Sequence, residues 1–249
     1  MKKRAASTPK ELQQRLKEDV LLQITRLGDR DTQKNAVDEI TRVIEFLEEG
    51  TLPLLLSCLY DTSNLPKAFA RKECVRFFGL IATPFCPVSS TYGPHIPKVV
   101  ASIIKRLKDS DSMVRDEGVV ALETIAKNLD AVGAPTMKSP GAGLARGLMD
   151  LVSEQNRAGQ GAGCAALGRV LPHLGVDISQ VKALLRLLNS PSFQAKSDLI
   201  AALGGCELSK DGRVWPCTRT GLIASESNAR QVLVAHITTL LGALKEGGG

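Results

Sequence analysis

Aromatic residues are scarce in this chain. They make up 4% of its 249 residues, with one tryptophan, Trp215, two tyrosines and six phenylalanines. A β-sandwich draws on aromatic and β-branched side chains, so a core of Leu, Ala, Val and Ile with few rings points to packed helices instead. Long apolar runs are missing as well. No stretch approaches the ~18 apolar residues of a membrane span, and none follows the basic start Met1-Lys2-Lys3-Arg4. Neither a span nor a secretory leader is expected, and the chain is expected to be soluble. The six cysteines never occur as C-x-x-C. Reduced, buried thiols follow, in keeping with a cytosolic or nuclear compartment.

Chemistry-bearing motifs are equally sparse. The three histidines, His95, His173 and His236, stand far apart, and none has a Cys, His or carboxylate at ligand spacing. No metal site is expected. The phosphate-loop pattern G-x-x-x-x-G-K-[ST] is absent. Gly161-Ala162-Gly163-Cys164-Ala165-Ala166 matches a loose dinucleotide pattern. That pattern needs a strand before it, whereas a helix precedes it here, so close helix packing accounts for the small residues. A nucleophile, its base and oxyanion donors are not brought together by any spacing. The chain reads as a non-enzyme without cofactors.

What the sequence has is a repeat. A basic or amide residue is followed three, seven and ten positions later by small or apolar residues, six times over. Gln33 leads Ala36, Ile40 and Val43; Arg71 leads Cys74, Phe78 and Ile81; Arg115 leads Gly118, Leu122 and Ile125. Gln160 leads Gly163, Leu167 and Val170; Lys196 leads Leu199, Leu203 and Cys206; Arg230 leads Leu233, Ile237 and Leu240. Successive leaders stand 38, 44, 45, 36 and 34 residues apart. These offsets fall on one helical face. An apolar helix and a short polar corner precede each leader, with a short, divergent first helix (residues 218–224) in the last unit. Helix, corner, helix at a period near forty belongs to HEAT and armadillo arrays. The expected fold is therefore all-α, an α-solenoid of about six helix pairs. A single domain is expected over residues 9–245, with a flexible basic tail at 1–8 and a flexible end at 246–249. Linkers are expected at 88–97, 130–140 and 207–212.

The net charge is +6. Corner charges are of mixed sign, without the clustered cations and interleaved aromatics of a nucleic-acid groove, so no nucleic-acid partner is expected.

Several stretches then resemble a known family. SCLYDTS (57–63), RKECVR (71–76), DRDTQKNAVDEI (29–40) and the corner Asn189-Ser190-Pro191-Ser192-Phe193-Gln194-Ala195-Lys196 are similar to the N-terminal domain of the Tortifolia/Spiral family of plant microtubule-associated proteins. The resemblance implies a TOG-type paddle of six HEAT units that binds tubulin through the corners within each unit. It implies a place on microtubules in the cytoplasm. Candidate contact residues at or beside the corners are Arg30, Asp31, Lys34, Asn64, Lys67, Lys72, Met113, Arg115, Arg157, Phe193, Lys196 and Arg230. An arginine at a leader position (Arg71, Arg115 or Arg230) is also placed to reach an aspartate of the neighbouring unit and lock the stack. Self-association is left open, and no membrane partner is expected. The alternative is a helical-repeat adaptor of nuclear-envelope or transport type that binds another protein.

Overall fold

Pro9 opens the first helix, α1 (Pro9–Arg26), with Glu11 in its first turn. A proline there gives up no helical hydrogen bond, and an acid complements the unpaired N–H groups. The structure is a computed structural model that describes residues 9–60, 62, 65–132, 140–174, 176–177, 184, 186–187, 193–204, 206–208 and 213–216. It divides into two compact units, residues 1–140 and 141–249.

In the first unit three helix pairs follow one another. They are α1 with α2 (Gln33–Glu45), α3 (Leu52–Tyr60) with α4 (Ala68–Ile81), and α5 (Ile96–Arg106) with α6 (Ser112–Lys127). The second helices of the pairs stack, α2 on α4 and α4 on α6. The repeated face points inward. Ala36 and Ile40, Cys74, Phe78 and Ile81, and Gly118, Leu122 and Ile125 are all buried, while Val43 is half-buried. Burying such side chains stabilises the array by about 1.5–3 kcal/mol each.

The residues three after Arg115 and Gln160 are glycines for a steric reason. A Cβ on Gly118 would stand 2.8 Å from a methyl of Leu107, at the end of α5. The next position along the stack is also tight, since a Cβ on Gly79 would stand 3.2 Å from the Cα of Ala121. Small residues let α4 and α6 approach closely. The expected linker at 88–97 is packed rather than loose. It holds two 3₁₀ turns, Ser89–Thr91 and Gly93–His95, and α5 already begins at Ile96. Tyr92 is fully buried, and its hydroxyl donates to the Phe78 carbonyl at 3.1 Å.

The second unit repeats the plan with α7 (Pro140–Ser153), α8 (Arg157–Val170) and α9 (Lys196–Gly204). Leu184, Arg186 and Leu187 are helical too. A Cβ on Gly163 would stand 2.8 Å from Val152, as at Gly118, and one on Gly168 would stand 3.2 Å from the Cα of Ala202, as at Gly79. The loose dinucleotide pattern thus lies inside α8, where its glycines serve helix packing.

The helical-repeat class holds, with one departure. Val176–Asp177, Cys206–Leu208 and Arg213–Pro216 form a small antiparallel sheet in which the last strand lies between the other two. Cys206, expected on the fifth repeat's helix, is therefore in a strand, and part of the expected linker at 207–212 is strand as well. The helix ends at Gly204, and glycine stops a helix readily. The sixth unit, including Arg230, and the tails at 1–8 and 246–249 lie outside the described residues.

Cys58, Cys74, Cys86 and Cys164 are buried free thiols. Burial pushes Cys74 and Cys164 up to about 12, so both stay protonated and inert at neutral pH. Phe77 is wholly buried. Phe77→Ala is expected to cost roughly 3–5 kcal/mol in urea denaturation, the range for emptying a packed aromatic site.

Candidate binding surface

The corners are built by short polar side chains that turn the backbone on itself. Asp29 and Asp109 each accept from the N–H two residues on, Asp31 at 3.3 Å and Asp111 at 3.0 Å. In the first corner Thr32 donates to the Arg26 carbonyl at 3.0 Å. Asp111 caps α6 by accepting from the Met113 N–H at 2.9 Å, and Asn156 caps α8 by accepting from the Gly159 N–H at 2.9 Å. Each cap satisfies an N–H that the helix leaves unpaired.

Three leader side chains, Arg71, Arg115 and Gln160, hold their corners. Arg71 donates from Nη1 to the carbonyl six residues back, Leu65, at 2.8 Å. Arg115 does the same to Asp109 at 2.7 Å, and Gln160 to Glu154 at 2.7 Å. A leader also reaches the next corner. Arg71 grips Asp109 with both arms, Nε to Oδ2 at 2.8 Å and Nη2 to Oδ1 at 2.9 Å. Gln160 accepts from the Gln194 N–H at 3.4 Å. The expected arginine–aspartate lock is present at Arg71. Arg115 differs: its guanidinium binds its own corner, at the carbonyls of Asp109 and Ser110. The first and second corners are neighbours too, since a Cβ on Gly28 would stand 3.6 Å from Cγ of Lys67. Within each unit, consecutive corners therefore lie side by side.

This arrangement sorts the candidate residues. Arg30, Asp31 and Lys34 are exposed at the first corner, and Lys67 is exposed just before α4. Met113 is 54% exposed at the start of α6. Arg157 and Lys196 are exposed as the first residues of α8 and α9. Arg30, Lys34, Lys67, Arg157 and Lys196 form no ion pair among the described residues. Lys72 is engaged internally, 3.1 Å from the buried carboxylate of Glu73 and 3.9 Å from Glu117. Phe193 is 4% exposed, so its ring packs inside the second unit instead of standing at the surface. Asn64 and Arg230 lie outside the described residues. Two partners escaped the sequence reading, Asp109 as the acceptor and Gln160 as a stitch. The signal for Asp109 was its place six residues before a leader.

Arg71 and Asp109 are mostly buried, with side chains 13% and 7% exposed. The Arg71 hydrogen bonds, foremost, hold the Asp109 carboxyl below its ordinary value, with the Asp111 N–H and Arg106 helping. A depressed carboxyl contributes stability that is complete above its unfolded value, about 3.9, and is lost as pH falls through the lower folded value. Wild-type stability should drop below about pH 4. In Asp109→Asn that part of the acid dependence should vanish from chemical denaturation measured across the same range. Arg71→Ala, which leaves the mostly buried Asp109 carboxylate with only the Asp111 N–H and the more distant Arg106, should cost roughly 3 kcal/mol at pH 7.

Comparison with known proteins places this surface in a family. Residues 14–213 match the model of the TORTIFOLIA1 N-terminal family. The chain is 32% identical over 220 residues to "Microtubule-associated protein TORTIFOLIA1" of Arabidopsis thaliana, covering 84% of this chain and 25% of that protein. It is 29% identical over 222 residues to TORTIFOLIA1-like protein 1 of the same plant, covering 84% and 26%. The chain thus spans about a quarter of the length of these relatives. Among solved structures, computationally designed armadillo repeat proteins align with 16% identity at a TM-score of 0.37, over 74% of this chain and 81% of theirs, too loosely to bear on the fold. The match over residues 14–213 starts within α1 and takes in the rest of the helix pairs described above, and the chain belongs to the TORTIFOLIA1 N-terminal family.

Proposed function

We propose that this chain is a microtubule-associated domain that binds tubulin through the corners within its helix pairs. It acts in the cytoplasm, on the microtubule cytoskeleton. The observation that carries this reading is the set of exposed, unpaired cations at consecutive corners: Arg30, Lys34 and Lys67 in the first unit, Arg157 and Lys196 in the second. Helix starts beside them add unpaired N–H groups and partial positive charge. Each set, within its own unit, suits an acidic protein surface. Met113, exposed beside the capped start of α6, supplies an apolar contact among the polar ones. The similarity to a relative named as a microtubule-associated protein supports tubulin as the source of that surface.

The division of labour among the corner residues supports the same reading. Arg71, Arg115 and Gln160 are used up in holding the corners, whereas the exposed cations contribute nothing visible to the fold. Side chains without a structural task, carried on a rigid frame, are where binding residues are expected. Attraction by such charges acts mainly on association and weakens with salt.

Co-sedimentation with microtubules and gel filtration with free tubulin test the proposal. The chain should bind at least one of the two at low salt. Arg30→Glu with Lys67→Glu should weaken that binding by about tenfold, equivalent to ~1.4 kcal/mol, at an unchanged melting temperature. Absence of binding to both forms at low salt refutes tubulin as the partner. Unchanged affinity in the double variant refutes these corners as the contact.

A further inference from the structure

A second basic feature includes none of the exposed corner cations. A cleft of about 190 Å³ opens at the C-terminal end of α3, between Leu59, Tyr60 and Thr62 on one side and α5 on the other. Lys98, Ser102 and Lys105 follow one another at four and three residues, so one face of α5 presents all three to it. Arg106 lines it as well. Lys98 and Lys105 are exposed and form no ion pair among the described residues. Arg106 is engaged, 4.0 Å from Asp109. The cleft is thus cationic at its rim.

Its floor is apolar. Leu59, Val75 and Phe78 line it and are buried. Tyr60 forms one wall, with the Lys98 ammonium 4.2 Å from its ring centroid and Phe78 tilted against it at 5.6 Å. The Tyr60 hydroxyl is buried and has no hydrogen-bond partner among the described residues. A buried hydroxyl left unpaired is uncommon in a folded protein and marks a place where a polar group is wanted.

We propose that this cleft is a binding notch for an acidic side chain of a peptide. The carboxylate sits between Lys98 and Lys105, and the methylenes of the side chain lie over Leu59, Val75 and Phe78. The size fits one glutamate-sized group and falls short of the ~300 Å³ at which small-molecule pockets begin. Nucleic acid fits poorly, because the Tyr60 ring is covered by Lys98 and Phe78 and offers no free face for a base. The notch uses none of the exposed corner cations proposed above to meet tubulin, and its test contains no tubulin.

The experiment is an anisotropy titration of fluorescein-labelled hexaglutamate with the whole chain at low ionic strength. Wild type should bind, and Lys98→Gln with Lys105→Gln should bind at least tenfold more weakly at an unchanged melting temperature. Lys10→Gln with Lys17→Gln, which removes the same charge from exposed sites on α1, should change affinity less than twofold. Equal losses in the two double variants overturn the notch in favour of diffuse attraction, and so does a wild type that fails to bind. Inorganic phosphate should compete only weakly. Phosphate that binds more tightly than the peptide, and is lost with Lys98 and Lys105, overturns the assignment to a carboxylate side chain.

Discussion

The fold depends on a constraint at the starts of α4, α6 and α8. There one side chain must satisfy its own corner and, at Arg71 and Gln160, the next corner as well. Corner backbone has few partners of its own, and a buried carbonyl left unpaired is costly. Arg71, Arg115 and Gln160 meet that need at the same carbonyl, six residues back. Three positions further on, the same helix must leave room for the end of its pair mate, which is why Gly118 faces Leu107 and Gly163 faces Val152. Polar stitch and steric gap recur together. They set the spacing at which helices can stack, and they account for the period that the sequence displays.

A functional consequence follows from the stitching. Arg71 and Asp109 hold two corners at a fixed separation through a pair of charge-assisted hydrogen bonds. Neighbouring cations such as Lys67 are then presented by a frame that does not need to be ordered on binding. Preorganisation of that kind lowers the entropic cost of association. The roles also separate cleanly by burial. The residues that hold the corners are buried or partly buried and paired, and the cations proposed to meet a partner are exposed and form no ion pair among the described residues.

Much of this was legible in the sequence. The offsets of three, seven and ten identified the buried faces of α2, α4, α6 and α8, because helical geometry leaves few alternatives for such a pattern. The corners were legible from their Asp, Asn and Ser content. Other features were hidden by chemistry that looks alike from sequence. Arg30 and Arg115 are both arginines near a helix start, yet one is exposed and the other is folded back on its own carbonyls. Phe193 sits in a polar corner segment but its ring turns inward. Cys206 kept the apolar register although the helix had already ended at Gly204. Sequence spacing reports which face a residue occupies, and it is silent on which partner fills its hydrogen bonds.

Hydrogen–deuterium exchange of the chain with and without tubulin tests corner docking most directly. Protection should appear in peptides that carry the corners at residues 28–34, 109–115 and 154–160. The connections between helix pairs, at residues 46–51 and 83–95, should exchange as before. Protection confined to those connections, with the corners unchanged in bound chain, would contradict docking through the corners.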